Sequence, residues 1–272
     1  MRASAIEFRF RMLINLVIIL LGFWAPWDHV WSGAWGPSVA YATHIALLEW
    51  LALRLSSAGV CSFAVAAPAV MVAGALAALL GAVLRVWGTA WLGTGTVHSF
   101  EMKAGAVETG GGGTGAVVAG GPYRFVRNPL YIGFWWMAAA LSLFMPPSGA
   151  LVAMILITVF QLRLILGEEA FLAVKLGEPY LAYRRAVPRL FPRLRTSLPP
   201  AGRKPQWLRS ALTELTSIGV FVALAIFAAL AIVSESYNNR LVVRVILIGF
   251  GASLVARALL LPDAAKERPQ AE

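Results

Sequence analysis

Residues 121–145, GPYRFVRNPLYIGFWWMAAALSLFM, decide how this chain is read, because two arginines and several ring-bearing residues stand at the head of an uncharged run. Pro146-Pro147 breaks that run, and residues 149–166 are again mostly apolar before Gly167-Glu168-Glu169. As helices, at about 1.5 Å per residue, the first arm runs roughly 25 Å and the second roughly 30 Å back. This apolar hairpin therefore brings Arg127 and the Glu pair to one membrane depth. Packing alone does not require two cations and two anions on adjacent helix ends.

Working outward, the composition fits such a hairpin. The 272 residues are 59% hydrophobic and only 13% charged, with ten Trp, and the mean hydropathy is +0.74. These values describe an integral membrane protein. Apolar segments lie at 12–27, 38–55, 62–92, 130–146, 149–176, 211–233 and 241–262. In lipid they must satisfy their own backbone groups and so form helices. The expected fold is an all-α, multi-pass transmembrane bundle of about six or seven spans. Met1–Trp27 is expected to be a retained anchor, since its apolar run ends in Trp-Ala-Pro-Trp-Asp with no small-x-small cleavage site. The single Cys61 excludes a disulfide framework within the chain, and His29, His44 and His98 share no metal-ligand spacing, so no metal site is expected.

The net charge of +10 is unevenly placed. From Arg184 to Arg209 there are eight Lys or Arg and no acid, whereas 234–240 holds one charge of each sign. The excess of positive charge puts 176–210 in the cytoplasm, and the hairpin then opens to the same side. Counting back through three spans puts the N-terminus outside, but Arg2, Arg9 and Arg11 argue for inside. The segment 38–55, with His44, Glu49 and Arg54, is the weakest span, and lying at the interface would remove the conflict. Membrane orientation and anionic headgroups explain the basic segment more simply than nucleic acid does.

Locally, Pro129 suits the first turn of a helix with Asn128 as its N-cap, and Arg124 and Arg127 flank that positive helix end. Gly177 and Pro179 read as a helix stop and the first turn of a new helix, on which Tyr180 and Tyr183 share a face. The glycines between Leu92 and Gly121 lack the Lys-Ser/Thr of a phosphate loop and read as a lid or linker.

Taken in order, Gly121-Pro-Tyr-Arg-Phe-Val-Arg-Asn-Pro-Leu-Tyr-Ile-Gly133, Glu168-Glu169-x-x-Leu172, Gly177-x-x-Tyr180-x-x-Tyr183 and Val187-Pro188-Arg189 resemble the isoprenylcysteine carboxyl methyltransferases and the related phospholipid methyltransferases. The resemblance covers about residues 85–195. It implies a multi-pass enzyme using S-adenosylmethionine, with a cofactor pocket at the cytoplasmic face and a methyltransferase core over 93–195. The N-terminal transmembrane helices of 1–92 precede that core, and the basic linker with two further helices over 196–272 has no counterpart in the resemblance. The resemblance implies that Arg127 corresponds to the Arg of the family's Arg-His-Pro motif and Glu168-Glu169 to its Glu pair. Arg127 and Glu169 are then the catalytic candidates. Tyr123, Arg124, Asn128, Pro129, Tyr131, Gly133, Glu168, Glu169, Tyr180 and Tyr183 are the cofactor-binding candidates. Asn128 stands where many members have His, and it cannot titrate near neutral pH. Gly93-Thr94-Gly95 and His98 are weaker candidates for the same site. The implied acceptor is lipid-tailed or prenylated, with a carboxylate of isoprenylcysteine type first and a phospholipid amine as the alternative. The reading from another class is a membrane protein that binds lipid without catalysis. The sequence is silent on oligomeric state.

Overall fold

The computed structural model describes residues 3–24, 45–92, 117, 119–193, 195, 198, 204–234, 248, 249, 251–253 and 255. The Gly-rich stretch, Gly93-Thr94-Gly95, His98, the 234–240 loop beyond Ser234 and most of the apolar segment 241–262 lie outside the described residues. The described elements are helical: α1 (Ala5–Arg9), α2 (Arg11–Trp24), α3 (Leu47–Ser57), α4 (Phe63–Leu92), a 3₁₀ turn (Gly121–Arg124), α5 (Pro129–Ser142), α6 (Pro147–Leu176), α7 (Glu178–Ala186), α8 (Trp207–Thr213) and α9 (Leu215–Ser234).

Two of them, α4 and α6, are long and apolar enough to cross a membrane; α8 and α9, bent by 72° at Glu214, add a third if they count as one span. That is fewer than the six or seven expected, among the described residues. The helix α3, at 11 residues, extends only about 16 Å and falls well short of a bilayer core.

Close helix approaches fix the directions of the bundle. Gly81 and Gly133 face each other, so that a Cβ on Gly81 would stand 2.7 Å from the Gly133 carbonyl oxygen and one on Gly133 would stand 2.8 Å from that of Gly81. Small residues allow this backbone contact between membrane helices. With Gly74 beside Leu143 and Gly88 beside Leu130, α4 runs antiparallel to α5. The helix α2 is antiparallel to α6, since Gly22 packs on Gly149 at one end and the Ala3 amide donates to the Arg163 carbonyl at 3.1 Å at the other. A pair of Glu7 with Arg163 at 2.8 Å and a buried hydrogen bond from Gln161 to Asn15 at 3.4 Å complete that seam.

These directions remove the conflict over the N-terminus. The chain enters beside Arg163 and Gly167, near the end of α6 that carries the Glu pair, and α2 leads away from it. The amides of Leu47 and Leu48 donate to the carbonyls of Met145 and Leu143 at the α5–α6 turn, so α3 begins at the opposite end, and α4 returns. Among the described residues, two long passages, rather than three, separate Arg9 and Arg11 from Leu92.

The core has a small cluster of Leu176, Tyr180, Tyr183 and Val187 at the α6–α7 junction and two larger ones. One of the larger clusters joins α3, α4, α5 and α9 around Leu48, Met71, Phe144 and Leu224, and the other joins α2, α5 and α6 around Ile18, Met145, Ile157 and Leu164. The outward faces remain apolar: Leu16 and Leu20, then Leu151, Ile155 and Val159, then Val222, Ile226 and Leu230 are exposed at intervals of four residues. Such stripes suit a lipid surround and not water.

A buried ionic cluster ties the C-terminal helices to α4. Arg85 donates to Glu214 through Nε at 2.7 Å and Nη2 at 3.1 Å, and Thr89 and Ser217 donate to the same carboxylate at 3.0 and 2.8 Å. The Gln206 amide also donates to the Ala90 carbonyl at 3.0 Å.

Candidate active site

The site begins where the chain enters α5. Gly121, at φ 52°, starts a 3₁₀ turn against the Trp91 indole, where a side chain would find no room. The following residues are then sewn to the segment after α7. The Arg127 amide donates to the Pro188 carbonyl at 2.9 Å, the Arg193 amide to the Phe125 carbonyl at 3.1 Å, and the Tyr183 hydroxyl to the Tyr123 carbonyl at 2.8 Å. Pro129 takes the first helical position as expected. Asn128 occupies the N-cap position, but its side chain does not cap the helix. Its amide instead donates to Glu169 Oε1 at 3.3 Å and to the Arg189 carbonyl at 3.1 Å.

The apolar hairpin returns as its length predicts, with Arg127 Nε 3.0 Å from Glu169 Oε1. Glu169 is enclosed by donors. Arg189 grips both its oxygens, with Nε at 3.2 and 3.1 Å and Nη2 at 2.8 Å, while Arg127 Nη2 lies 3.0 Å from Oε1. The Arg127 Nη1 group donates to the carbonyls of Arg184 and Val187. Of the five N–H groups of Arg127, at most one is left for a ligand. The hydrogen bond to Glu169 raises the pKa of Arg189, so this cation is permanent.

Glu168 is placed differently. Its Oε2 accepts from the Tyr131 hydroxyl at 2.9 Å, a contact across the hairpin from α5 to α6. Gly177, at φ 61°, ends α6 and lets α7 turn back with Pro179 in its first turn. The rings of Tyr180 and Tyr183 lie 6.0 Å apart on one face of α7. Burial pushes the phenols of Tyr123, Tyr180 and Tyr183 above the usual tyrosine range, so they stay neutral.

These groups surround a cavity of about 100 Å³. Its wall includes Tyr123, Arg127, Asn128, Pro129, Tyr131, Glu168, Glu169, Tyr180 and Tyr183, nine of the sequence candidates, and is completed by apolar residues such as Leu92, Leu130, Leu172 and Leu176. Arg124 and Gly133 are not on it. The Arg124 guanidinium donates to the Leu198 carbonyl, through Nε at 3.1 Å, and Gly133 faces α4 as a helix contact. Arg163, on the same helix as the two acids, pairs with Glu7. Sequence reasoning did not select Arg189 as a site residue, although it ends the Val-Pro-Arg motif. An acid buried near a helix end, in need of a second cation, is the signal that points to it.

A cavity lined by a few polar groups at the ends of apolar helices is a candidate ligand site. Residues 69–178 match the phospholipid methyltransferase family model. The matched segment runs from α4 to the start of α7, less than half of the chain, and that family is the second of the two related groups that the motifs resemble. Searches of the curated proteins and of the solved structures gave no match.

Proposed function

We propose that the protein is an integral membrane methyltransferase that takes its methyl group from S-adenosylmethionine and transfers it to a lipid-tailed acceptor at the cytoplasmic face. The observation that carries this reading is the joining, in one cavity, of Glu168, Tyr131, Tyr180 and an apolar wall at the polar end of a lipid-facing bundle. A carboxylate, neutral phenols and apolar side chains suit a cationic, ring-bearing cofactor. When bound, S-adenosylmethionine supplies a methyl group activated by a sulfonium. Glu168 and the tyrosines would hold it, and the protein would position the acceptor and keep water out.

The same geometry favours an amine headgroup over a carboxylate as acceptor. A bidentate clamp on a carboxylate needs two parallel N–H groups, and Arg127 has at most one to spare while it holds Glu169 and two carbonyls. Glu168, by contrast, can accept the proton that an amine sheds when methylated. Glu169, held by two arginines and Asn128, positions Arg127 and the α7 segment. The eight-to-zero charge bias of 184–209 supports the cytoplasmic side.

Purified protein supplied with methyl-labelled S-adenosylmethionine and either an aminophospholipid or a prenylated cysteine tests this reading. Label is expected in the phospholipid. Label in the prenylated cysteine alone would restore the carboxylate acceptor, and label in neither, with no cofactor binding, would support the lipid-binding reading instead.

A further inference from the structure

The polar end of the bundle carries side chains that the cavity does not use. Phe191 is 86% exposed, Leu208 76% and Trp207 52%, and between and beside them Arg184, Arg193, Arg195 and Arg209 are exposed as well. The two parts of this surface are anchored to one place. The Arg193 amide is held by the Phe125 carbonyl, and the Phe125 ring lies 6.3 Å from that of Trp87. The Gln206 amide is held by the Ala90 carbonyl, one helical turn further along α4. Arg189, in the same segment, grips Glu169, so this surface adjoins the cavity.

We propose that this surface docks on anionic phospholipid headgroups of the leaflet that surrounds the site, with Phe191, Trp207 and Leu208 dipping into the interface. The composition of the patch selects this partner. Cations alone would suit any polyanion in water, but large apolar side chains interleaved with them would then stay exposed at a cost. Apolar residues alone would suit a protein partner, but the eight Lys or Arg and no acid from Arg184 to Arg209 would resist most protein surfaces. An interface with negative headgroups above and acyl chains below satisfies both. Trp207 matches the usual depth of Trp in membrane proteins. This inference does not depend on the chemistry proposed for the cavity.

The test uses the full chain purified in a neutral detergent, with its thermal midpoint followed as phosphatidylglycerol or phosphatidylcholine is added. Phosphatidylglycerol is expected to raise the midpoint by about 3–6 °C over phosphatidylcholine, as specific ligands do. Replacing Arg184, Arg193, Arg195 and Arg209 together by Gln should remove most of that difference, while Arg54→Gln, on α3, should keep it. The double variant Phe191→Ala, Leu208→Ala should halve it or more, and it gives an independent reading if the quadruple variant folds poorly. Equal midpoints in the two lipids, or a full difference in both multiple variants, would overturn the proposal. An equal rise with inorganic phosphate would reduce the surface to a general anion site and also overturn it.

Discussion

Glu168 and Glu169 are neighbours with different work. The side chain of Glu169 is only 5% exposed and is met by two guanidinium groups and one amide, so its removal leaves two cations without their partner. Glu169→Ala is expected to cost about 3–5 kcal/mol of stability, read as a fall in thermal midpoint. Methyl transfer should fall by about 2–5 kcal/mol of activation free energy in Arg127→Ala and Glu169→Ala, and hardly at all in Arg195→Ala, measured as kcat/KM. Similar activity in all three variants would remove these residues from the site. The sequence placed both acids beside Arg127, because helix lengths set depth. It left their roles open, because consecutive helix positions point about 100° apart and only the packed neighbours tell which faces the cavity. At the N-terminus, hydrogen bonds led by that from Arg163 pull the Glu7 carboxyl down to about 2. A carboxyl with a depressed pKa stabilises the fold above its ordinary value of 4.5 and loses that contribution as pH falls toward about 2. Glu7→Gln should therefore flatten the fall in thermal midpoint over that acid range, and an unchanged acid limb would show that the pair does not matter.

At the scale of elements, the hairpin of α5 and α6 was readable because two apolar runs flank a Pro-Pro turn, and the break at Gly177 was readable because Gly and Pro stand where one helix ends and another begins. The contact between α4 and α5 was not, since Gly81 and Gly133 are 52 residues apart and only packing shows that each excludes a Cβ on the other. Gly133→Ala should cost about 1–3 kcal/mol, seen as a lower thermal midpoint with the cavity residues intact. Arg85 was hidden in the same way. A lone charge in an apolar run signals a partner, but nothing in the run says that the partner is Glu214, 129 residues on. The side chain of Glu214 is 3% exposed, so Glu214→Ala should destabilise the fold by about 3–5 kcal/mol. It should also free α8 and α9 for limited proteolysis near Thr213. A variant as resistant as the wild type would mean that packing of Val220, Leu224 and Phe227 holds these helices without the ion pair.

The described helices form a bundle with apolar outward faces and a polar-lined cavity at one end. Its class was legible from hydropathy, whereas the number of crossings was not, because a count of apolar runs treats α3 as a span when its 11 residues begin at the α5–α6 turn and cannot cross. Arg9, Arg11, the Glu pair and the described part of the basic segment then share an end, which fits the proposed cytoplasmic face. A cysteine at Lys204, with Cys61 replaced, is expected to resist an impermeant reagent in intact cells and to react once the membrane is opened. Labelling from outside would reverse the proposed sidedness. The central claim is that the cavity walled by Glu168, Tyr131 and Tyr180 holds S-adenosylmethionine, and calorimetric titration of the purified protein with S-adenosylhomocysteine tests it most directly. The account predicts one saturable site in the wild type, weakened about 10- to 100-fold in Glu168→Gln through loss of a charge-assisted hydrogen bond. No binding to the wild type, or binding that Glu168→Gln leaves unchanged, would contradict it.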